Sequence, residues 1–366
     1  MLSTLRLNRA LLARQFLLRR RRVAPLAAVE HLVGIQSQTP RAAYVGLWTR
    51  VAGFRPEALE QLLLDREVAR VALMRSTIHL VSARDCLPLR ELVRPAIERA
   101  SRHTANRRAA GVDDRELEAA GRALLDEPRT FRELGARLRE RWPGCDADAL
   151  AMGVRELVPL VQVPPRGLWS RGGAPAVVPA ETWLHGVRAE PLSMPRLVRR
   201  YLAAYGPASV QDAQTFTGVT GLRAVFEELR TELLAFRDEE GGELFDLPDA
   251  PRPTARTKAP ARFLPEFDNI LLSHARRERI LPEGTMSLLS LGNGLKPAFL
   301  VDGFVAGTWK LTTRGRTARL EVSPFERPSA AQRRELEDEG RRLLAFAARG
   351  AERAEVSLVV KPRRRW

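Results

Sequence analysis

One pattern recurs three times along the chain and limits the fold more than any composition figure: three short helix-like segments, then two strand-like ones. In the first copy the helices read as residues 26–34, 41–50 and 56–65, and Pro56 suits the first position of a helix, where its missing N–H costs nothing. Runs rich in Val, Ile and Leu at 68–74 and 77–82 follow as strands, and a basic helix over residues 5–20 precedes the copy. The second copy places helices in DRELEAAGRALLDE, TFRELGARLRERW and DADALAMGVRELV, then a wing of residues 161–163 and 168–170 split by Pro164-Pro165-Arg166-Gly167. Thr130 followed by Glu133 spells a capping box, and Asp146 is placed to cap the next helix. The third copy reads SMPRLVRRYLAAYG, SVQDAQTFTG and TGLRAVFEELRTELL, then a hairpin of residues 234–236 and 244–247. Ser209 and Thr220 are its N-cap candidates, and Gly206 and Gly218 its helix stops. The turn at 238–242 is acidic, which disfavours phosphate contact.

A proline-rich linker at 248–260 leads into strands 299–301, 305–311 and 318–322, a helix at 330–348 and a last strand at 355–360. Asp302-Gly303 and Arg314-Gly315-Arg316 read as the hairpin turns. The expected fold class is therefore α+β, mostly α: three tandem winged-helix units plus a C-terminal antiparallel sheet and helix. The expected boundaries are 1–105, 106–190, 191–250 and 251–366. A winged helix ordinarily sends its third helix to a groove and its wing to phosphate, so three in a row predict an extended surface for duplex DNA.

Charge agrees, with a discount. Lys and Arg total 60 against 44 Asp and Glu, a net charge of +16. Almost all the cations are Arg, with Lys only at positions 258, 296, 310 and 361, as GC-rich coding also produces. Coding bias does not set the net sign, however, and guanidinium groups suit phosphate. No run of about 18 apolar residues offers a membrane span. The N-terminus lacks a signal-peptide pattern, Cys86 and Cys145 are too few for a disulfide framework, and the five His are scattered. No heptad segment or dimerisation helix stands out. A cytoplasmic, nucleoid-associated monomer that binds duplex DNA without metal or cofactor is the expectation.

The most informative short segment is HLVGIQSQTPRAAYVGLW, residues 31–48. Gln36 and Gln38 flank Ser37 just past a helix, and residues two apart in an extended stretch point the same way, so both carboxamides could meet one ligand. Taken alone, a Q-x-Q reads as a polar helix-end turn, and what lifts this one is its company. Thr77 and His79 share a strand face, and His79 reads either as a structural histidine or as part of a site. Glu266 and Asp268, with Asn269 and His274, make the densest polar cluster past the linker, and read as a turn and helix cap or as carboxylates near a reacting water. Trp309, beside Lys310, reads as a sheet anchor.

Several blocks together resemble the bacterial winged-helix DNA glycosylases of the AlkZ/YcaQ type, over essentially the whole chain. They are GIQSQTPRAAYVGLW, MRSTIHLVSARD at 74–85, YGPASVQDAQTFTG at 205–218, FLPEFDNILLSH at 263–274 and LVDGFVAGTWK at 300–310. The resemblance implies a base-excising enzyme in which Gln36 and Gln38 are catalytic. It places the chain nearer the Q-x-Q branch, which unhooks interstrand crosslinks. The middle position is usually apolar in that family, and here it is Ser37. The family also carries a β-hairpin that enters the duplex beside the catalytic centre. Residues 312–317, tipped by Arg314 and Arg316, are the expected hairpin, or else an exposed basic loop. Lys310, Thr77, His79 and Arg41 join them as candidate DNA contacts, while the KPRRRW tail reads as solvated.

Amides fit this chemistry only for certain substrates. Cleaving an N-glycosidic bond passes through an oxocarbenium-like sugar. A purine alkylated at N7 or N3 is already cationic and leaves without protonation. A carboxamide can hold water by its carbonyl and donate from its NH₂, yet it is no strong base. The expectation is a monofunctional glycosylase restricted to cationic lesions. A transcription regulator or a non-catalytic DNA binder built from the same units is the alternative.

Overall fold

The computed structural model describes residues 1–102, 112–292 and 294–360; the expected 105/106 boundary and the KPRRRW tail lie outside them. The opening helix, α1 (Thr4–Arg14), is shorter than the expected 5–20 and starts at Ser3, whose side chain accepts from Arg6 N. Two of its three cations turn inward. Arg9 pairs with Asp302 at 2.6 Å, and Arg14 grips both oxygens of Asp246 at 2.6 and 2.8 Å. The basic helix is thus a strut tying the third helical stretch to the C-terminal region.

Three helices follow, α2 (Pro25–His31), α3 (Pro40–Trp48) and α4 (Pro56–Leu64), each opened by proline. Strands β1 (Ile35–Gln36), β2 (Val68–Ala72) and β3 (Ile78–Ser82) pair antiparallel in the order β1-β3-β2, with Gln36 opposite His79. Gly34, at φ +86°, permits this: a Cβ there would stand 2.6 Å from Val81 Cγ1. A long helix, α5 (Ala83–Arg102), then appears that the repeated pattern did not include. Pro88 and Pro95 inside it hide its helical signal, since proline removes a donor and crowds the preceding turn.

The second stretch supplies α6 (Asp114–Leu124), α7 (Phe131–Arg141) and α8 (Ala147–Leu157). Thr130 and Glu133 close the capping box, and Asp146 caps α8. The wing differs from expectation. Strands β4 (Arg129–Thr130), β5 (Leu160–Gln162) and β6 (Ala176–Pro179) continue the first sheet as β1-β3-β2-β5-β6-β4, so residues 168–170 are not a strand. Pro164 and Pro165 have no N–H for a ladder, and the chain swings out so that Trp169 reaches Tyr44 and Phe346 at 5.1 and 5.4 Å. A one-turn helix, α9 (Ala180–Trp183), follows.

The third stretch is α10 (Met194–Tyr205), α11 (Val210–Thr217) and α12 (Arg223–Glu228), then the hairpin β7 (Leu234–Arg237) and β8 (Glu243–Asp246). Ser209 forms a capping box with Asp212, and Gly218 ends α11 in the left-handed region. Thr220 is not a cap: Leu222 holds that position in helical geometry, and the helix is short. The acidic turn binds within the molecule, Glu239 accepting from Thr4 and Arg276 pairing with Asp238 and Glu240.

Beyond the linker, β9 (Arg262–Leu264), β12 (Ala298–Val301), β13 (Phe304–Arg314), β14 (Thr317–Pro324) and β15 (Arg353–Leu358) form a second sheet, β15-β14-β13-β12-β9. Helix α14 (Ala330–Ala347) crosses between β14 and β15, which returns β15 parallel to β14; the sheet is not wholly antiparallel as expected. Between β9 and β12 lie α13 (Thr285–Leu289) and the two-strand hairpin β10 (Ser290–Leu291) and β11 (Gly294–Leu295). One core joins the first sheet to α5, α10 and α11, while another packs α2–α4 against the C-terminal sheet. Both sheets therefore bear on β1, the strand that carries Gln36. Among the described residues no helix is long and apolar enough to cross a membrane.

Candidate active site

The loop after β9 fixes the Gln36 strand. Asn269 Oδ1 accepts from Gln36 N at 2.9 Å, while its Nδ2 donates to Gly34 O and to Tyr205 Oη, both at 2.8 Å. Tyr205 in turn donates to Leu32 O. One asparagine thus fixes the chain on both sides of Ile35, with every polar atom engaged. Asp268 accepts from both terminal nitrogens of Arg50, at 2.7 and 2.8 Å, in a pair almost closed to solvent. Glu266 accepts from Thr39 Oγ1 at 2.9 Å. Of the two expected carboxylates, Asp268 is committed to Arg50 and Glu266 sits at the head of α3.

Gln36 is buried, yet it lines a cleft of about 360 Å³ together with Arg75, Thr77, Phe267 and Arg277. Arg75 Nη2 donates to Gln36 Oε1 at 2.6 Å, and Nη1 donates to Phe216 O at 2.7 Å. Since guanidinium only donates, this contact fixes which end of the carboxamide is oxygen. Burial pushes the Arg75 pKa down to about 10, so it keeps its charge at neutral pH. Arg75 and Phe267 hold φ of 56° and 58°, the left-handed region that costs side-chain-bearing residues energy and recurs at working sites.

The other side of the same strand is sealed. Ser37 N donates to Ile78 O, and buried Arg70 donates to Ser37 Oγ at 2.6 Å, to Ser37 O at 3.0 Å and to Gln162 Oε1 at 3.1 Å. The polar residue between the two glutamines therefore has a polar partner. Gln38 is exposed and its Oε1 accepts from Ile78 N at 3.2 Å; it lies outside the cleft lining.

Thr77 lines the cleft but precedes β3, its Oγ1 donating to Met74 O at 3.1 Å. His79 is sealed in the sheet with Nδ1 on Thr77 O, and burial pushes it down to about 3, so it is neutral. His274 is likewise buried, on Tyr205 O and Ser273, and pushed down to about 3. Trp309 donates to Leu264 O, anchoring β13 on β9. Arg41 is exposed with its guanidinium over the Trp169 ring at 4.9 Å. Lys310, Arg314 and Arg316 are exposed on the β13–β14 hairpin, where Arg316 pairs with Glu352 at 2.8 Å. None of these four lines the cleft. The hairpin that does is β10–β11, through Ser290, Gly294 and Leu295, with Leu291 67% exposed.

Arg75 and Arg277 escaped the sequence reading. Arg75 was visible only as an arginine within MRSTIHLVSARD, in a tight link between two strands; Arg277 stands in an undifferentiated basic run, ARRER. The third helices also fall short of the winged-helix expectation. Helix α4 exposes Glu57 and Gln61, most of α8 is buried, and α12 pairs Arg223 with Glu227.

A mixed α/β scaffold thus holds a buried carboxamide, its oxygen fixed by an arginine, at the wall of an open cationic cleft. The family model for AlkZ-like DNA glycosylases matches residues 29–346, and the chain belongs to that family. It is similar to the interstrand DNA cross-link repair glycosylase of Streptomyces sahachiroi, 26% identical over 344 residues, covering 85% of this chain and 88% of that protein. The solved Streptomyces sahachiroi DNA glycosylase AlkZ has the same fold, with a TM-score of 0.79 at 24% identity over 98% of this chain and 100% of that one.

Proposed function

We propose that the chain hydrolyses the N-glycosidic bond of purines alkylated at N7 or N3 in duplex DNA, with Gln36 and Gln38 acting at the reacting sugar. The observation that carries this is the cleft itself: it is lined by the Gln36 carboxamide, and among the described residues no Asp, Glu or His lines it. Such a wall has no acid to protonate a neutral base. A cationic base needs none: the C1′–N bond breaks with its electron pair going to the base, which leaves neutral. Water then bonds to C1′ and loses its proton to solvent. Gln36 Oε1 keeps a second lone pair for that water, and Gln38, which lies outside the cleft lining with its Oε1 on Ile78 N, joins it by turning its carboxamide from that contact. Among the described residues no lysine lines the cleft; Lys296, close in sequence, places Nζ on Leu288 O. That supports hydrolysis without a lyase step, which needs an amine nucleophile, and no cofactor enters the scheme.

The name of the Streptomyces sahachiroi relative extends the proposal to interstrand crosslinks. An open cleft suits them, since a crosslinked base cannot rotate into a closed pocket. We read the scaffold as three winged-helix units at 1–105, 106–190 and 191–250 and a C-terminal region at 251–366, acting as a monomer on double-stranded DNA. Because the third helices offer no basic face, the units serve as a frame, and β10–β11 replaces the Arg314 hairpin as the element we place against the duplex. That also weighs against a transcription regulator.

Release of free base from N7-methylguanine duplex by wild type, lost in Gln36→Ala and in Gln38→Ala, is the expected result. Equal turnover of uracil or 8-oxoguanine would overturn the restriction to cationic lesions, and borohydride trapping of a covalent complex would overturn the monofunctional assignment.

A further inference from the structure

We propose that Arg277 and Arg75 form a phosphate subsite in the Gln36 cleft, and that its ligand is the DNA backbone phosphodiester beside the nucleotide that loses its base. The proposal rests on the glycosylase reading above and adds to it the part of the substrate that enters the cleft.

Both guanidiniums line the one cleft. Several inward-facing arginines at joints are matched by carboxylates, Arg14 with Asp246, Arg50 with Asp268, Arg200 with Asp85 and Arg262 with Glu339, while buried Arg70 and Arg90 are closed in on neutral oxygens. Among the described residues Arg75 and Arg277 have no such partner, and no carboxylate lines the cleft wall. Arg75 commits both terminal nitrogens to Phe216 O and Gln36 Oε1. Arg277 makes one long contact, Nε to His274 O at 3.4 Å, and its terminal fork remains available for a ligand. The charge of Arg277 also presses on Arg75, so the pair is self-repelling until an anion arrives.

The reaction makes that anion necessary. The lesion is a cation as it binds, and the sugar gains positive charge as the bond breaks. Two unneutralised guanidiniums beside Gln36 oppose both. A phosphodiester between them cancels the repulsion and matches the planar fork of Arg277 with two oxygens. With the phosphate on the two guanidiniums, the rest of the nucleotide faces the remaining wall, lined by Phe267 and Leu272.

The test uses full-length protein and a duplex carrying a tetrahydrofuran abasic analogue, so that no bond is broken and the chemistry of Gln36 is not read. One backbone linkage at a time is replaced by an uncharged methylphosphonate. In wild type, replacement at one or two linkages flanking the analogue weakens binding about tenfold, the worth of a charge-assisted contact. Arg277→Gln weakens binding to the all-phosphate duplex by a similar factor, lowers the slope of log K against log salt by about one, and abolishes the linkage effect. Arg277→Lys keeps the salt slope but recovers only part of the affinity, and Arg333→Gln, an exposed position on α14, leaves the linkage pattern intact. A scan without a sensitive linkage, or one whose pattern survives in Arg277→Gln, overturns the proposal. Competition by inorganic phosphate at constant ionic strength, without any linkage effect, assigns the pair to a free anion and overturns the backbone assignment. Base release from an alkylated duplex is scored separately: its absence from wild type would sink the glycosylase reading while leaving the scan interpretable.

Discussion

Two arginines five residues apart, Arg70 and Arg75, bracket the Gln36–Ser37 strand and make opposite use of the same chemistry. Each lacks a carboxylate, each donates to a side-chain oxygen of that strand at 2.6 Å, and burial pushes each down to about 10. Arg70 lies in the middle of β2 and is closed in, with Gly167 so close that a Cβ there would stand 2.8 Å from Arg70 Cδ. Arg75 lies in the left-handed link between β2 and β3 and opens onto a cleft. Burial of an unpaired guanidinium does not by itself mark a site; what separates the two is whether the remaining space is filled by protein or left for a ligand.

The largest test of that contrast is at the residue Arg75 holds. Gln36→Ala is expected to cut base release by ~10²–10³, the loss typical for one preorganised transition-state contact, without lowering the melting temperature. A variant that melts early would make Gln36 a structural residue like Ser37. Next comes Arg70→Ala, which removes three hydrogen bonds from a closed interior and is expected to cost ~3 kcal/mol in denaturant unfolding. Arg75→Ala should instead leave unfolding within ~1 kcal/mol of wild type while lowering base release by up to ~10²-fold through a misplaced amide. If both variants lose stability equally, the distinction between the two arginines fails. The double variant Ser37→Val/Arg70→Met tests the sealed side alone, and recovery of part of the Arg70→Ala loss is expected, since an apolar pair leaves no buried donor unmatched.

How far the sequence revealed this depends on the kind of signal. Capping residues mostly showed through, because the rule is local: Thr130 with Glu133, Asp146, Ser209 and Gly218 all sit where their short-range chemistry puts them, and Thr220 is the exception. The α5 helix was hidden by its own Pro88 and Pro95, and β6 because two prolines push its strand past the expected turn. Gln36 was legible through its company in a motif. Arg75 and Arg277 were not, because what distinguishes them is the absence of a carboxylate in three dimensions, which no one-dimensional pattern encodes. The basic tip at Arg314 and Arg316 stood out for the converse reason: charge on an exposed turn is conspicuous in sequence, whereas β10–β11, which lines the cleft, is only two residues per strand.

pH separates the site from its frame more gently. Neither titratable side chain flanking Gln36 changes charge near neutrality: His79, opposite it, is pushed down to about 3 and Arg75 to about 10. Base release from a cationic lesion should therefore be flat between about pH 5.5 and 8. Stability should not be. His79 and His274 take protons in the unfolded chain near their ordinary value but resist them when folded, so their stabilisation is fully present above about pH 6.5 and falls away as pH drops toward 3. Each contributes a slope of up to ~1.4 kcal/mol per pH unit in that window. A sigmoidal rate profile near neutrality with a flat melting curve would reverse the picture and place a proton donor in the cleft.

The smallest expected effect decides whether the amide-only scheme stands. Glu266 is the one carboxylate of the FLPEFDN segment not committed to an arginine, and it accepts from Thr39 at the head of α3, two residues from Ser37. Glu266→Gln preserves an acceptor for Thr39 and removes the charge. If the carboxylate only steadies the start of α3, the change costs no more than ~1 kcal/mol in unfolding and leaves base release within about threefold, half the energy of one modest contact. A carboxylate that polarises the attacking water would be missed far more, since general-base assistance typically contributes ~10²–10⁴. A drop of that size in Glu266→Gln, at unchanged stability, would bring the carboxylate into the chemistry and relax the restriction to cationic bases. A threefold change leaves Gln36, fixed by Arg75, as the group that the cleft was built around.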